Sequence, residues 1–97
     1  PIEIDTARQS ATLGGEEVSL TAYEYRVLEY LMLHAGRVIS KSELTEHIYE
    51  QDFDRDSNVL EVFVRRLRRK FDPDGELQPI ETLRGRGYRF SQKPPPA

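Results

Sequence analysis

A chain of 97 residues, 37% hydrophobic and 32% charged, has the size and composition of one folded domain with a single modest core, not of a disordered chain. No stretch approaches the roughly 20 apolar residues of a membrane span, no signal-peptide pattern opens the chain, and zero cysteines exclude disulfides and thiolate metal sites. The net charge of −3 is divided unevenly: residues 1–56 hold 5 Lys/Arg against 12 Asp/Glu, whereas residues 57–97 hold 9 against 5, which puts a basic working surface on the C-terminal half.

The first twenty residues read as short strands. Ile2 and Ile4 alternate with Glu3 and Asp5, Ser10 to Leu13 run up to Gly14-Gly15, and Val18 and Leu20 alternate with Glu17 and Ser19. A Gly-Gly pair between two such runs is a hairpin signal, so a small antiparallel sheet is expected. Three helices follow. Thr21-Ala22-Tyr23-Glu24 is a capping box with Leu20 and Tyr25 as its hydrophobic staple. Val27, Leu28, Leu31 and Ala35 then keep a helical stripe, and Gly36 closes it as a C-cap. Ser40-Lys41-Ser42-Glu43, stapled by Ile39 and Leu44, repeats the device for a second helix ending near Ile48 or Tyr49. Residues 50–56 are acidic and aperiodic and read as a loop. The third helix starts near Asn58, with Glu61 three positions on, and runs to about Phe71 before Pro73 and Gly75 stop it. Leu60, Val64, Leu67 and Phe71 form its buried stripe. A second hairpin closes the domain, with Ile80 to Leu83, a tip at Arg84-Gly85-Arg86-Gly87, and Tyr88 to Phe90. The elements amount to one α+β domain over residues 1–93, followed by a proline-rich tail over 94–97.

The third helix carries the chemistry. At about 100° per residue, the face opposite its apolar stripe holds Asn58, Val62, Arg65, Arg66 and Arg69, with Arg68 and Lys70 on the flanks. A solvated face would mix signs to form pairs one turn apart, but this one is almost wholly cationic after Glu61. Guanidinium groups can reach phosphates or fork onto guanine, and a small apolar side chain such as Val62 can meet a thymine methyl. The competing explanation is a basic solvent face or a patch for an acidic protein. The hairpin tip adds Arg84 and Arg86 beside glycines, and a narrow basic loop suits a minor groove, whose negative potential favours arginine.

Four blocks in sequence now resemble a known family. Leu20-Thr21 with Glu24, Gly36 to Lys41, Val62 to Lys70, and Thr82 to Phe90 are similar to the successive signatures of the OmpR/PhoB-type effector domain. Thr21 to Tyr25 and Ser57 to Val59 look most like its PhoP-like branch. The resemblance implies a winged helix-turn-helix: an N-terminal antiparallel sheet, a three-helix core and a C-terminal β-hairpin wing. It also implies one more strand ahead of that at Ile2 to Ile4, and a phosphoacceptor receiver domain joined by a linker and not included in these residues. Residue by residue, it places Arg65, Arg66 and Arg68 where the family contacts phosphates and bases, Val62 at a base methyl and Thr82 at a phosphate. Arg84 falls on the wing arginine of the minor groove. Asn58 and Phe63 depart from the family pattern. The loop at residues 49–56 matches the family's transactivation loop, so Asp52 and Asp54 are its candidate contacts to RNA polymerase.

Elsewhere the sequence offers little chemistry. His34 and His47 lie on different helices without a carboxylate or second histidine at ligand spacing and read as ordinary surface histidines. Glu24 and Glu43 are explained as caps, and Tyr23, Tyr25, Tyr30 and Tyr88 as core and rim. No nucleophile–base pair, phosphate-cradling loop or metal cluster is visible, so an enzyme, a metal and a cofactor are not expected. The function expected is sequence-specific binding of duplex DNA in transcriptional control, in the cytoplasm. The third helix would lie in the major groove and the wing at residues 80–90 in the minor groove. Expected partners are double-stranded DNA, RNA polymerase, the receiver domain with its histidine kinase, and a second copy on repeated half-sites, with no membrane. The alternative is a winged-helix protein-interaction module that sets the same basic helix on an acidic partner.

Overall fold

A computed structural model describes residues 2–48, 57–75 and 77–91, with residues 57–59 described by their backbone alone. The expected loop at residues 50–56 and the tail at 94–97 lie outside them. Three strands come first: β1 (Ile2–Asp5), β2 (Ser10–Leu13) and β3 (Glu16–Val18), antiparallel in that order. The register sets Ile4 opposite Ala11 and Ala11 opposite Val18, an apolar row facing the helices, while Glu3, Thr12 and Glu17 form the neighbouring row facing water. The β2–β3 connection is Gly14-Gly15, with φ of +59° and +88°. Two positive φ values in a two-residue loop match the right-handed twist of the flanking strands, which is why glycine stands at both.

Helix α1 (Ala22–Leu33) begins on the expected capping box: Thr21 Oγ1 accepts from the Glu24 amide at 3.2 Å, and Glu24 Oε1 accepts from the Thr21 amide at 2.9 Å. It ends earlier than expected. His34 is the C-cap, Ala35 is exposed beyond the helix, and the Gly36 amide donates to the Phe90 carbonyl at 2.9 Å. Gly36 therefore ties the end of this segment to the last strand and does not cap the helix. Helix α2 (Lys41–Ile48) keeps only half of its expected box. The Glu43 amide donates to Ser40 Oγ at 3.1 Å, but the Glu43 carboxylate turns to the Tyr30 hydroxyl and to Arg37.

Helix α3 (Ser57–Phe71) buries Leu60, Val64, Leu67 and Phe71 as the period required, and also Phe63, whose ring stacks on Tyr23 at 5.7 Å between centroids. Removing each of these side chains from water contributes about 1.5–3 kcal/mol, so the stripe fixes which face of α3 remains outside. The chain closes with β4 (Ile80–Leu83) and β5 (Gly87–Phe90), an antiparallel hairpin that sets Thr82 opposite Tyr88. Ile80, Tyr88 and Phe90 join the core made by the three helices, Ile2 and Ala11. The architecture is a mixed α+β winged helix: sheet, three helices, wing.

Candidate nucleic-acid interface

Burial of the stripe leaves Arg65, Arg66 and Arg69 exposed on the outer side of α3, none with an ion-pair or hydrogen-bond partner among the described residues. Val62 is half-buried beside them. A cation in the last turn of a helix complements its dipole, which accounts for Arg69 without any ligand. Arg65 and Arg66 sit too far from the C-terminus for that use. Glu61, one turn before Arg65, is held by Lys41 at 2.8 Å, and this ammonium keeps its carboxyl below the usual carboxylate range. The Arg65 charge one turn on lowers the same carboxyl further. The Asn58 side chain lies outside the described residues, as do Asp52 and Asp54.

The two cations expected on the flanks of α3 are engaged within the molecule. Arg68 donates through Nε and Nη2 to the Ile80 carbonyl at 3.3 and 2.9 Å, and through Nη2 to Thr82 Oγ1 at 2.6 Å. Lys70 Nζ lies 2.7 Å from Glu24 Oε1 and 2.8 Å from the Ser19 carbonyl. Burial alone would raise the Glu24 carboxyl, but the hydrogen bonds from Lys70 and the Thr21 amide outweigh it and hold the group below its ordinary value. Glu24 is thus both the expected cap and a buried counter-ion, a role that no local motif announces.

The wing is set by a close backbone contact. Ile39 N donates to Tyr88 O at 2.7 Å and Tyr88 N to Ile39 O at 2.9 Å, a short bridge between the α1–α2 link and β5. At Gly87, whose φ is +137°, an added Cβ would lie 2.0 Å from Ile39 O. Only glycine allows β5 this near. The hairpin tip then projects with Arg84 and Arg86 exposed and unpaired among the described residues, across an open cleft from Lys41 and Ser42 at the start of α2. Exposed arginines thus stand on two elements, α3 and the hairpin tip, and Thr82 on β4 is exposed as well.

The histidines share a neighbour, Tyr30, that spacing reveals for His34, four residues on, but not for His47 on α2. The Tyr30 ring sits between them, 4.5 Å from His34 and 4.3 Å from His47, and its hydroxyl donates to Glu43. The rim tyrosine is thus a packing hub, and Glu43 has a second duty. Among the described residues, no group of three or more His, Cys, Asp or Glu side chains could hold a metal ion. Among them too, no helix is long and apolar enough to cross a membrane.

Comparison with known proteins shows the family to which the chain belongs. The family described as transcriptional regulatory protein, C terminal, matches residues 15–90. The chain belongs to this OmpR/PhoB-type family. It is a family of DNA-binding domains of transcription regulators in two-component systems, not of enzymes. The two-component response regulator PhoP of Pseudomonas aeruginosa is 48% identical over 93 residues, covering 96% of this chain and 41% of that protein. That similarity agrees with the resemblance of Thr21 to Tyr25 to the PhoP-like branch; the chain spans about 41% of the relative's length. The RstA DNA-binding domain of Klebsiella pneumoniae, solved in complex with the RstA box, superposes with a TM-score of 0.79 at 31% identity, over 93% of this chain and 90% of that one. The AdeR DNA-binding domain, solved with an intercistronic region, gives 0.81 at 28% identity, over 95% of both chains.

Proposed function

We propose that this OmpR/PhoB-type domain binds duplex DNA sequence-specifically, with α3 in the major groove and the wing in the adjacent minor groove. The observation that carries this reading is the pair of exposed arginine sets, Arg65, Arg66 and Arg69 on α3 and Arg84 and Arg86 at the wing tip, without an ion pair or hydrogen bond among the described residues. In this reading Arg66 reads a base edge, Arg65 and Arg69 hold phosphates, Val62 meets a thymine methyl and Asn58 a base or phosphate at the helix start. Thr82 donates to a phosphate beside the wing, and Arg84 enters the minor groove with Arg86 next to it.

The domain acts in the cytoplasm as the output half of a response regulator, whose receiver domain takes phosphate from a cognate histidine kinase. Two copies occupy repeated half-sites, and residues 49–56, with Asp52 and Asp54, meet RNA polymerase. A salt titration on a duplex selected from a random library tests the reading. Log affinity should fall linearly with log salt, by roughly 0.9 per phosphate contact, and a random duplex should bind more weakly. Equal affinity for selected and random duplexes would contradict sequence-specific binding, and no salt-dependent duplex binding at all would return the basic helix to the role of a patch for an acidic protein.

A further inference from the structure

Arg68 stands at the seam between the two basic elements. It projects from the flank of α3, is half-buried, and bonds β4 at two points, the Ile80 carbonyl and the Thr82 hydroxyl oxygen. Hydrogen bonds from a guanidinium are roughly twice as strong as neutral ones, so the bonds through Nε and Nη2 hold the Arg68 head group on β4.

Thr82 shows the other side of the arrangement. A hydroxyl offers one proton and two lone pairs. Its oxygen here accepts from a cation at 2.6 Å, and no group among the described residues accepts its proton. A cation on the oxygen polarises the O–H bond and makes it a better donor. The side chain is exposed and stands two residues before Arg84 on the same hairpin.

We propose that Arg68 is a positioning residue for DNA binding: it clamps the wing to α3 and presents the Thr82 proton to a backbone phosphate. Resting on the DNA-binding reading above, the proposal removes Arg68 from the set of direct contacts and makes Thr82 the point through which it acts. The clamp also gives the two groove-reading elements one fixed spacing, because β4 leads directly into the tip that carries Arg84.

The test compares wild type, Arg68→Met, Thr82→Val and the double variant on one selected duplex across a salt series, at a temperature where circular dichroism shows each folded. Arg68→Met keeps the stem and removes the donors. It should weaken binding roughly tenfold, the scale of one lost hydrogen bond involving a charged group. The salt slope should stay at the wild-type value, since a neutral hydroxyl releases no counterion when it meets phosphate. Thr82→Val should lose a similar amount, and the double variant should bind no more weakly than Arg68→Met alone.

A slope shallower by about 0.9 in Arg68→Met, with losses that multiply in the double variant, would make Arg68 a direct phosphate contact and overturn the proposal. Wild-type affinity in folded Arg68→Met would overturn it as well, leaving only a stabilising contact. Thr82→Val alters an exposed side chain and serves alone where Arg68→Met does not fold; undiminished affinity in it has the same consequence. A wild-type chain with no salt-dependent duplex binding would instead bring down the parent reading together with this one.

Discussion

Lys70 and Glu24, 46 residues apart in the chain, form an ion pair at 2.7 Å in which the carboxylate is 1% and the lysine 34% exposed. The pair pins the last turn of α3 to the first turn of α1, so the helix that carries the exposed arginines is held at its C-terminal end by a charge buried under the sheet–helix junction.

Lys70→Met leaves that carboxylate buried with only its Thr21 partner, and since the lysine is partly exposed the cost is on the order of 1–3 kcal/mol. Glu24 titrates below its ordinary value of 4.5, so its stabilising contribution is present above that value and is lost as pH falls through the lower folded-state value. In the variant the carboxyl keeps only its bonds with Thr21 and gains less from ionising. The stability gap between wild type and Lys70→Met, measured by urea unfolding, should therefore be wide at neutral pH and narrow as pH falls below 4.5. A gap that is constant with pH would show that the loss is one of packing.

Gly87→Ala should be among the most damaging single changes in the molecule. The new methyl carbon would start 2.0 Å from the Ile39 carbonyl oxygen at a φ of +137°, so β5 must withdraw from the α1–α2 link. The expected cost is about 3 kcal/mol or more, the range of changes that force both a clash and a disfavoured backbone. Thermal unfolding checks this, and a melting temperature within a few degrees of wild type would mean that the Ile39–Tyr88 bridge is dispensable.

What was legible in the sequence is what depends on neighbours in the chain. The Thr21–Glu24 box, the Gly14-Gly15 turn and the Leu60-to-Phe71 stripe each encode their geometry within one or two turns, and each is present. The exposed arginines followed from the same periodicity, since burying one face of α3 exposes the other. Arg68 and Lys70 did not, because their partners are 12 and 46 residues distant and a flank position can turn to solvent or to another element. Gly36 and Glu43 carry correct local signals that tertiary demands redirect, one to the Phe90 carbonyl and one to Tyr30 and Arg37. Phe63 is not in the expected stripe, and its burial against Tyr23, 40 residues away, is a tertiary contact that the period does not encode.

Asp52 and Asp54 lie outside the described residues, and their proposed partner is RNA polymerase, not DNA. Replacing both by Ala should leave duplex affinity intact or slightly higher, because two negative charges are removed, while activated transcription falls in a reconstituted assay. Undiminished transcription would count against that role.

Arg84 and Arg86 should contribute to binding and not to stability, since they are exposed and have no partner among the described residues, and exposed charges are worth little to the fold. Arg84→Ala should keep the melting temperature within a few degrees and lose affinity most where the wing-facing step is A·T-rich, since a narrow minor groove concentrates negative potential. Arg84→Lys should recover part of the loss, restoring charge without the weakly hydrated planar head. Paired duplexes differing only in that segment provide the measurement. Equal losses on both would reduce Arg84 to a phosphate clamp, and a larger loss for Arg86→Ala would show that the other arginine enters the groove.

The central claim is that the outer face of α3 reads sequence, and Arg66 is the residue on which it turns. The most direct measurement is the affinity of Arg66→Ala for the selected duplex and for a scrambled duplex of the same composition, at one salt concentration. Loss of a base-reading arginine should weaken the selected site by roughly 1–3 kcal/mol and leave the scrambled one nearly unchanged, so that the preference flattens. Equal weakening on both duplexes would contradict the account, because Arg66 would then be holding a phosphate and the sequence would be read elsewhere.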